Sequence, residues 1–531
     1  MPTIITADTL KRWLRDGEEL GLFDVREHGQ YGEGHLFFAV PLPYSVLERE
    51  VGRLAPNRRA RLVVYDECEG GEGGDGEQPA ARAARRLEAL GYTAVHRLEG
   101  GALAWREAGF GLFKGVNVPS KAFGELVEQV AHTPHVSAQR LAEWQRSADS
   151  PVVLDGRPLA EFRAMNIPGA ACCPNGELAY RIDTIVADAA RPIVINCAGR
   201  TRSIIGAQTL RHLGVANPVY ALENGTQGWF LADLTLEHGS TRGYPAHVEP
   251  SAARRDAARA FATRAGVEWV DAHTVRAWAD AGGRTVYLCD VRTPEEFAAS
   301  TLPGAQHAPG GQLQQATDQY VGVRHARVVV FDDDGIRAPV AASWLRQLGH
   351  EAFVLEGGLR SGLALDGGAV ADPEPLPTID AAALAERLAR DAGRVVDLRA
   401  SAAWGEAHIP GSVWSIRPRL AGLLAQAATP VTFVADDPRL AAWAIADLDL
   451  PDRVDCEFSV LAGGLAAWEA VGGGVASDPA ALAPAQRIDF LFFTHDRHTG
   501  NKAAARQYLQ WEVELLPQLD ADERCVFRPL A

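Results

Sequence analysis

The sequence predicts an α/β protein of four tandem domains, each a parallel sheet with helices on both faces, followed by a C-terminal helical tail. Two observations lead to this prediction. The same series of short motifs recurs four times along 531 residues, and within each series apolar runs of strand length alternate with helical stretches. Repeats this long are whole domains rather than solenoid units. Strands that alternate with helices are typical of parallel sheets covered on both faces.

Each repeat begins with an apolar run that ends in Asp-x-Arg, at Asp24-Val25-Arg26, Asp155-Gly156-Arg157, Asp290-Val291-Arg292 and Asp397-Leu398-Arg399. A glycine-containing turn follows in every case, at Gly34, Gly169, Gly304 and Gly411. A run that is entirely apolar and bounded by such turns is typical of a buried strand. The first half of each repeat therefore predicts a strand that leads into a tight turn.

The second half of each repeat has its own apolar run, at Leu62–Tyr65, Ile193–Asn196, Val328–Phe331 and Val431–Val434. A helical stretch comes next, and a closing turn follows it, at Gly100-Gly101, Asn224-Gly225, Gly357-Gly358 and Gly463-Gly464. Three repeats place a tryptophan four residues later, at Trp105, Trp229 and Trp468. The recurrence in one order predicts the same strand–helix–strand unit four times.

Changes in composition place the predicted boundaries, which are residues 1–115, 116–238, 265–370 and 376–475 for the domains and 484–531 for the tail. The composition of the stretch from Glu237 to Arg264 predicts a linker. The proline-dense run 372–377 predicts a second linker, which is stiff and extended. In the tail, apolar positions follow a helical pattern from Tyr508 to Leu516. We therefore expect the tail to dock an apolar helix face on the domains.

Charge and composition narrow the possible partners. The formal net charge of -16 argues against nucleic acid or an anionic membrane as the main partner, and no apolar run is long enough for a membrane span. The N-terminus has no secretory pattern, so we expect a cytoplasmic protein. Seven cysteines without a Cys-x-x-Cys pair predict neither a zinc site nor a disulfide framework. A metal site at His495, Asp496 and His498 is not predicted, because their local spacing lacks a third ligand in a defined place. No cofactor is predicted either.

Cys197 is the residue on which the functional prediction rests. It ends the apolar run Ile193–Asn196, and the loop Ala198-Gly199-Arg200-Thr201-Arg202-Ser203 leads into a helical pattern. Backbone N–H groups at a helix N-terminus and nearby guanidinium groups favour an anion there. Such surroundings favour the reactive thiolate form of a cysteine. The site is therefore predicted to carry out nucleophilic sulfur chemistry.

The four Asp-x-Arg turns, the Pro-Gly-Ala turn, the strand-Cys-loop-helix and the Leu-Glu-Gly-Gly-x-x-x-Trp closure resemble those of tandem rhodaneses over roughly residues 1–475. The resemblance implies a thiosulfate sulfurtransferase. Cys197 would take sulfur from the donor as a persulfide and pass it to cyanide or a thiol. The loop from Ala198 to Ser203, with Arg200 and Arg202, would bind the anion. The Asp-x-Arg pair, which is Asp155 and Arg157 in repeat two, recurs in repeats without the cysteine. This recurrence indicates a structural ion pair.

The other repeats lack the cysteine. Alignment places Asp66, Asp332 and Asp436 at its position, so domains one, three and four are predicted to be inactive. A carboxylate could satisfy the anion-binding loop but has no sulfur to carry. Cys68 lies in the elongated loop of repeat one and is interpreted as an exposed thiol, with an accessory persulfide site as the alternative. Cys172 and Cys173 are interpreted as core residues, with a resolving thiol as the alternative.

Three other functions stay open. One is a 3-mercaptopyruvate sulfurtransferase. The second is a cysteine-loop phosphatase. Its Cys-x5-Arg loop is one residue longer than the sulfurtransferase loop, so its arginine stands six positions after the cysteine. Here Arg202 stands five positions after Cys197, and Ser203 stands six positions after it. The third is a persulfide relay or scaffold, in which the inactive domains recruit a protein that accepts the sulfur.

Overall fold

The computed structural model describes residues 2–67, 78–246, 248–424, 430–448, 456–498 and 500–531. Repeat one contains strands β1 Thr3–Ile5, β2 Leu20–Asp24, β3 Val40–Pro41, β4 Leu62–Tyr65 and β5 Val95–Leu98. Its helices are α1 Ala7–Trp13, α2 His28–Glu33, α3 Leu47–Leu54, α4 Pro79–Ala89 and α5 Gly101–Glu107. Repeat two has strands β6 His135–Val136, β7 Val152–Asp155, β8 Ala171–Cys172, β9 Ile193–Asn196 and β10 Val219–Leu222. Its helices are α6 Val118–Ala131, α7 Ala138–Trp144, α8 Leu159–Ala164, α9 Asn175–Ile185, α10 Thr201–His212 and α11 Gly225–Leu231.

Repeat three has strands β11 Glu268–Val270, β12 Val286–Asp290, β13 Gln306–His307, β14 Val323–Arg324, β15 Arg327–Phe331 and β16 Glu351–Leu355. Its helices are α12 Ala252–Arg264, α13 Ala272–Ala281, α14 Pro294–Ala299, α15 Gly310–Gln315 and α16 Arg337–Gln347. Repeat four has strands β17 Thr378–Ile379, β18 Arg394–Asp397, β19 Val413–Trp414, β20 Val431–Val434 and β21 Phe458–Leu461. Its helices are α17 Ala381–Ala389, α18 Ser401–Glu406, α19 Arg417–Leu424, α20 Pro438–Ala446 and α21 Gly464–Ala470. The tail contains α22 Phe492–His495, α23 Lys502–Val513, α24 Leu515–Gln518 and α25 Ala521–Arg524.

The predicted fold class is confirmed, because the four repeats form four sheets of one topology. The strand orders are β1-β5-β4-β2 with β3 beside β2, β6-β10-β9-β7-β8, β11-β16-β15-β12-β13 and β17-β21-β20-β18-β19. Pairing within each repeat is parallel, so the C-terminal ends of the central strands meet at one edge. The strand β14 differs: it belongs to repeat three in sequence but pairs antiparallel with β2, so it extends the sheet of repeat one.

The Asp-x-Arg turns have the same geometry in all four repeats. The arginine Nε donates to the aspartate Oδ1 at 2.9–3.0 Å. Its Nη2 also donates to the carbonyl oxygen eight residues further on, at 2.6–2.7 Å. In repeat two these atoms belong to Asp155, Arg157 and Met165. The four aspartates are fully buried, so each turn fixes a charged pair at the end of a central strand.

The predicted linker from Glu237 to Arg264 is wrong in its second half. Residues 252–264 form α12, which is capped by the Ser251 side chain. Ala258, Phe261 and Ala262 are fully buried, at the i, i+3, i+4 spacing of one helix face. The alanine- and arginine-rich composition resembled a linker because the apolar face of this helix is narrow.

Buried polar contacts and apolar clusters connect the repeats. The indole Nε1 of Trp344 in repeat three donates to Thr209 Oγ1 in repeat two at 2.9 Å. Arg417 of repeat four pairs with Glu48 of repeat one at 2.6 Å. The tail side chains that lie in the apolar cluster shared by repeats one, two and three include Leu515, Leu516 and Phe527. Across the ranges given above, none of the helices combines the length and the apolar character that crossing a membrane requires.

Candidate functional site

Cys197 lies directly after β9, at the sheet edge where the central strands end. The closing turn of repeat two packs against the cysteine loop. Thr226 N donates to the Cys197 carbonyl at 2.8 Å, and Gln227 N donates to the Ala198 carbonyl at 3.1 Å. Gly225 makes this approach possible: its φ is +54°, and a Cβ there would lie 2.2 Å from the Cys197 oxygen. The Gly-rich closure recognised in the sequence therefore positions the cysteine loop.

The Cys197 sulfur lies at the N-terminal end of α10. Ser203 Oγ donates a hydrogen bond to Cys197 Sγ at 3.2 Å, and the cysteine is only 2% exposed. Unpaired N–H groups and the helix dipole make this end of a helix favourable for a thiolate or persulfide anion. Ser203, which the sequence placed among the loop residues, is thus in direct contact with the sulfur.

In the repeats that lack the cysteine, the loop amides bind a carboxyl group. In repeat three the Asp332 carboxylate accepts hydrogen bonds from Gly335 N at 3.0 Å, Ile336 N at 3.1 Å and Ala338 N at 2.8 Å. In repeat one the Asp66 carboxylate accepts from Ala80 N at 3.0 Å. The loop amides therefore bind the side chain that follows the second central strand, which is a carboxyl group in repeats one and three. Burial, together with Asp334 in repeat three, nevertheless raises the pKa of Asp332, and burial raises that of Asp66. In repeat two the same position holds the Cys197 sulfur.

Repeat four departs from the predicted alignment, which placed Asp436 at the cysteine position. Asp397 pairs in register with Val434, as Asp155 pairs with Asn196, so the next residue, Ala435, is the equivalent of Cys197. The prediction was wrong by one residue because two aspartates follow Ala435 and the composition alone favoured an acidic residue. Repeat four therefore carries a methyl group where repeat two has its sulfur.

The two loop arginines are paired with carboxylates. Arg200 reaches away from the loop to Glu125, at 2.7 and 2.9 Å, and to Glu128, both on α6. Arg202 makes a bidentate pair with Glu161, with both contacts at 2.8 Å. The same bidentate pair recurs in repeat three, which has Asp332 in place of the cysteine, between Arg337 and Glu296. A pair that recurs without the cysteine is more consistent with holding the loop than with binding a substrate.

The remaining predicted loop residues have three different neighbours. Ala198 contacts the closing turn, Gly199 the tail, and Thr201 the helix α6. Ala198 and Thr201 are buried, and Thr201 Oγ1 has no hydrogen-bond partner among the described residues. Gly199 lies against the tail residue Glu512: a Cβ on this glycine would be 2.6 Å from Glu512 Oε2. Glu512 in turn pairs with Lys121 of α6 at 2.5 Å. No sequence pattern predicts this contact, because residues so far apart in the chain share no local periodicity.

Two cavities border the cysteine loop and the tail. One, of about 570 Å³, is lined by Arg157, Glu161 and Arg202 from repeat two and by Arg497 and Tyr508 from the tail. The other, of about 530 Å³, is lined by Thr226 and Gln227 beside the cysteine and by the tail residues Arg497 and Lys502. Arg497 and Met165 line both cavities.

The other described thiols differ from Cys197 in environment. Cys172 and Cys173 are buried, and burial raises the pKa of the Cys172 thiol to about 12 and that of Cys173 well above its usual range. Burial likewise raises the pKa of Cys289 to about 12. Cys68 lies outside the described residues, and so does the side chain of His498. In the part of the chain that the structure describes, no three His, Cys, Asp or Glu residues gather as metal ligands.

Comparison with known proteins identifies the repeats. The family described as Rhodanese-like domain matches residues 6–108, 137–232 and 271–364, which together are more than half of the chain. The crystal structure of a thiosulfate sulfurtransferase from Pseudomonas aeruginosa is 40% identical, covers 100% of both chains and superposes with a TM-score of 0.90. A Mycobacterium tuberculosis protein with the provisional name thiosulfate sulfurtransferase SseB is 29% identical over 213 residues, 33% of this chain and 71% of its own. Repeat four is outside the family match but has the same sheet topology. The chain belongs to the rhodanese-like domain family.

Proposed function

We propose that the protein is a sulfurtransferase that moves sulfane sulfur from thiosulfate through a Cys197 persulfide to cyanide or a small thiol. One observation carries the proposal: the same loop holds different side chains in different repeats. Repeats one and three hold a carboxyl group among the loop amides, and repeat two holds the Cys197 thiol at that position. The names of the Pseudomonas and Mycobacterium relatives support thiosulfate as donor.

The proposed reaction has two half-reactions. The Cys197 thiolate attacks the outer sulfur of thiosulfate, the S–S bond breaks, and sulfite leaves with the bonding pair. Loop amides and Ser203 stabilise the resulting persulfide anion, as the equivalent amides stabilise Asp332. An acceptor nucleophile then attacks the outer sulfur, and the Cys197 thiolate is regenerated. The deep position of Cys197 favours small acceptors over a protein partner. No metal or cofactor is needed for these steps.

Steady-state kinetics test this proposal. Because the enzyme alternates between thiol and persulfide forms, we expect parallel double-reciprocal lines when thiosulfate and cyanide are varied. Assays with 3-mercaptopyruvate and with an aryl phosphate serve as comparisons, and we expect thiosulfate to be preferred and no phosphate to be released. Hydrolysis of the aryl phosphate, or intersecting lines, would contradict the proposed function.

A cysteine placed in repeat three should not create a second active site. In Asp332→Cys, the new sulfur would lie beside Asp334, whose Oδ1 already accepts from Ile336 N at 2.7 Å and Arg337 N at 3.0 Å. A carboxylate so close disfavours a thiolate and repels a dianionic donor. We therefore expect thiosulfate:cyanide transfer by Asp332→Cys in a Cys197→Ser background to stay at the level of Cys197→Ser alone. Activity well above that level would mean that repeat three lost only its nucleophile.

A further inference from the structure

A further cavity lies where repeats one, two and three meet the tail. It encloses about 70 Å³, and its lining draws Phe38 from repeat one, Ser120 from repeat two, Arg324 from repeat three and Phe527 from the tail. None of the described residues that line it belongs to the cysteine loop. A single water molecule takes up about 10–15 Å³ of such space, so the cavity has room for a molecule of about five heavy atoms.

Arg324 brings a positive charge into this cavity without a carboxylate partner. Its guanidinium carbon lies 3.6 Å from the centroid of the Phe38 ring, and its buried Nε has no hydrogen-bond partner among the described residues. Burial lowers the pKa of Arg324 to about 10, so the group is still charged at neutral pH. The arginines of the Asp-x-Arg turns and of the cysteine loop, in contrast, pair with carboxylates. A buried cation without such a partner is costly unless a ligand supplies the negative charge.

Two histidines, His325 and His350, line the same end of the cavity. Burial, together with the charge of Arg324, lowers the pKa of His350 to about 4 and also lowers the pKa of His325. Both imidazoles are therefore neutral at pH 7. Each can donate one hydrogen bond to an anion, while Arg324 carries the charge that attracts it.

A basic cavity of about 560 Å³ adjoins this end of the first one. It shares both histidines, and its lining includes three arginines, Arg264, Arg346 and Arg528. The one carboxylate in its described lining, Glu351, pairs with Arg284 at 2.6 Å. Arg346 also lies 3.8 Å from Glu268, outside the lining. In a chain with a formal net charge of -16, such a cluster draws anions towards Arg324.

The inner cavity suits a small organic monoanion better than an inorganic dianion. Its walls include the apolar residues Leu348, Val526 and Phe527, which favour a hydrocarbon group. Asp318 lines the cavity without forming an ion pair with Arg324, and burial raises its pKa to about 6. This carboxyl group is mostly ionised at pH 7 and disfavours a second negative charge. The planar guanidinium group of Arg324 matches the two oxygens of a carboxylate.

We propose that this cavity binds a small aliphatic monocarboxylate. Its carboxylate lies against Arg324 and the two histidines, and its carbon chain lies against the apolar residues of the tail. The site is separate from Cys197, so the inference goes beyond the proposed function and does not depend on sulfur transfer.

Titration of the full chain with sodium propanoate, followed by ligand-observed NMR at constant ionic strength, tests the proposal. Propanamide has the same shape without the charge, and sulfate has charge without a carbon chain. We expect propanoate to bind, and both comparison compounds to bind at least about 10-fold more weakly, because each lacks one of the two contacts. Failure of propanoate to bind, or equal binding of propanamide or sulfate, would overturn the proposal.

Arg324→Met locates the binding. It removes the charge and keeps an unbranched side chain against Phe38, so we expect the Kd for propanoate to rise about 10- to 100-fold. Arg327→Met is the matched control. Arg327 also stacks on a ring, at 4.4 Å from the centroid of Trp278, and its Nε also lacks a partner among the described residues, but it lines neither cavity. An unchanged Kd in Arg324→Met, or the same rise in Arg327→Met, would show that propanoate binds elsewhere and would refute the site.

Thermal unfolding without ligand distinguishes a binding role of Arg324 from a structural one. Replacing an unpaired buried cation by an apolar side chain should leave Tm unchanged or raise it, because the cost of burying the charge is removed. A decrease in Tm larger than that of Arg327→Met would mean that Arg324 stabilises the junction without a ligand, and the proposal would fail.

Discussion

Cys197→Ser is expected to abolish persulfide formation completely. A serine hydroxyl at neutral pH is neither an anion nor a carrier of sulfur, so the first half-reaction has no nucleophile. Intact-mass analysis after treatment with thiosulfate should show one added sulfur atom on the wild type and none on the variant. The fold should be unchanged, because serine is close to cysteine in size and the carbonyl of residue 197 keeps its contact with Thr226.

Two further variants serve as controls for this experiment. Cys525→Ser removes an exposed thiol of the tail, and Cys68→Ser removes the thiol of the elongated loop in repeat one. Both should still gain one sulfur atom. If Cys197→Ser itself gains sulfur, the carrier is another cysteine, such as Cys68 or Cys172, and the assignment of repeat two as the active domain fails.

The fold could be predicted from the sequence because its determinants are local and repeated. A strand that ends in Asp-x-Arg, with a glycine turn after it, has the same neighbours in each repeat, and all four turns adopt one geometry. Cys197 could be found for the same reason, because repeats one and three have aspartate at the position where repeat two has this cysteine. The error at Ala435 shows the limit, because strand register is fixed by pairing partners and not by the composition of the loop.

The surroundings of the site could not be predicted, because they come from residues distant in the chain. Glu161 is 41 residues before Arg202, and the tail residue Glu512 is 391 residues after Lys121. No periodicity links such pairs. The sequence therefore identified the loop arginines as anion-binding groups, whereas the structure pairs both with carboxylates. The tail, which the sequence assigned only a docking role, reaches the cavities beside the cysteine.

Arg337 is the position where a single substitution should destabilise the protein most. It is 1% exposed at the junction of repeats two and three. Its guanidinium group contacts four carboxylates, which belong to Glu177, Glu296, Asp333 and Asp334. Glu177 would keep its pair with Arg181, and Asp333 its pair with Arg292. Arg337→Gln would leave Glu296 and the buried Asp334 without their cation. Breaking a buried pair from one side costs about 3–5 kcal/mol.

Thermal unfolding measures the effect. A loss of about 3–5 kcal/mol corresponds to a decrease in Tm of at least about 6 °C for a unit of 150–250 residues. Arg346→Ala is the matched control: it lies on the same helix, is partly exposed and is 3.8 Å from Glu268, so its ion pair contributes about 1 kcal/mol or less. Equal, small decreases in both variants would show that the carboxylates around Arg337 take up protons or water without cost. In that case the junction of repeats two and three is held by its apolar contacts, such as those around Phe123 and Trp344, and not by the charge cluster.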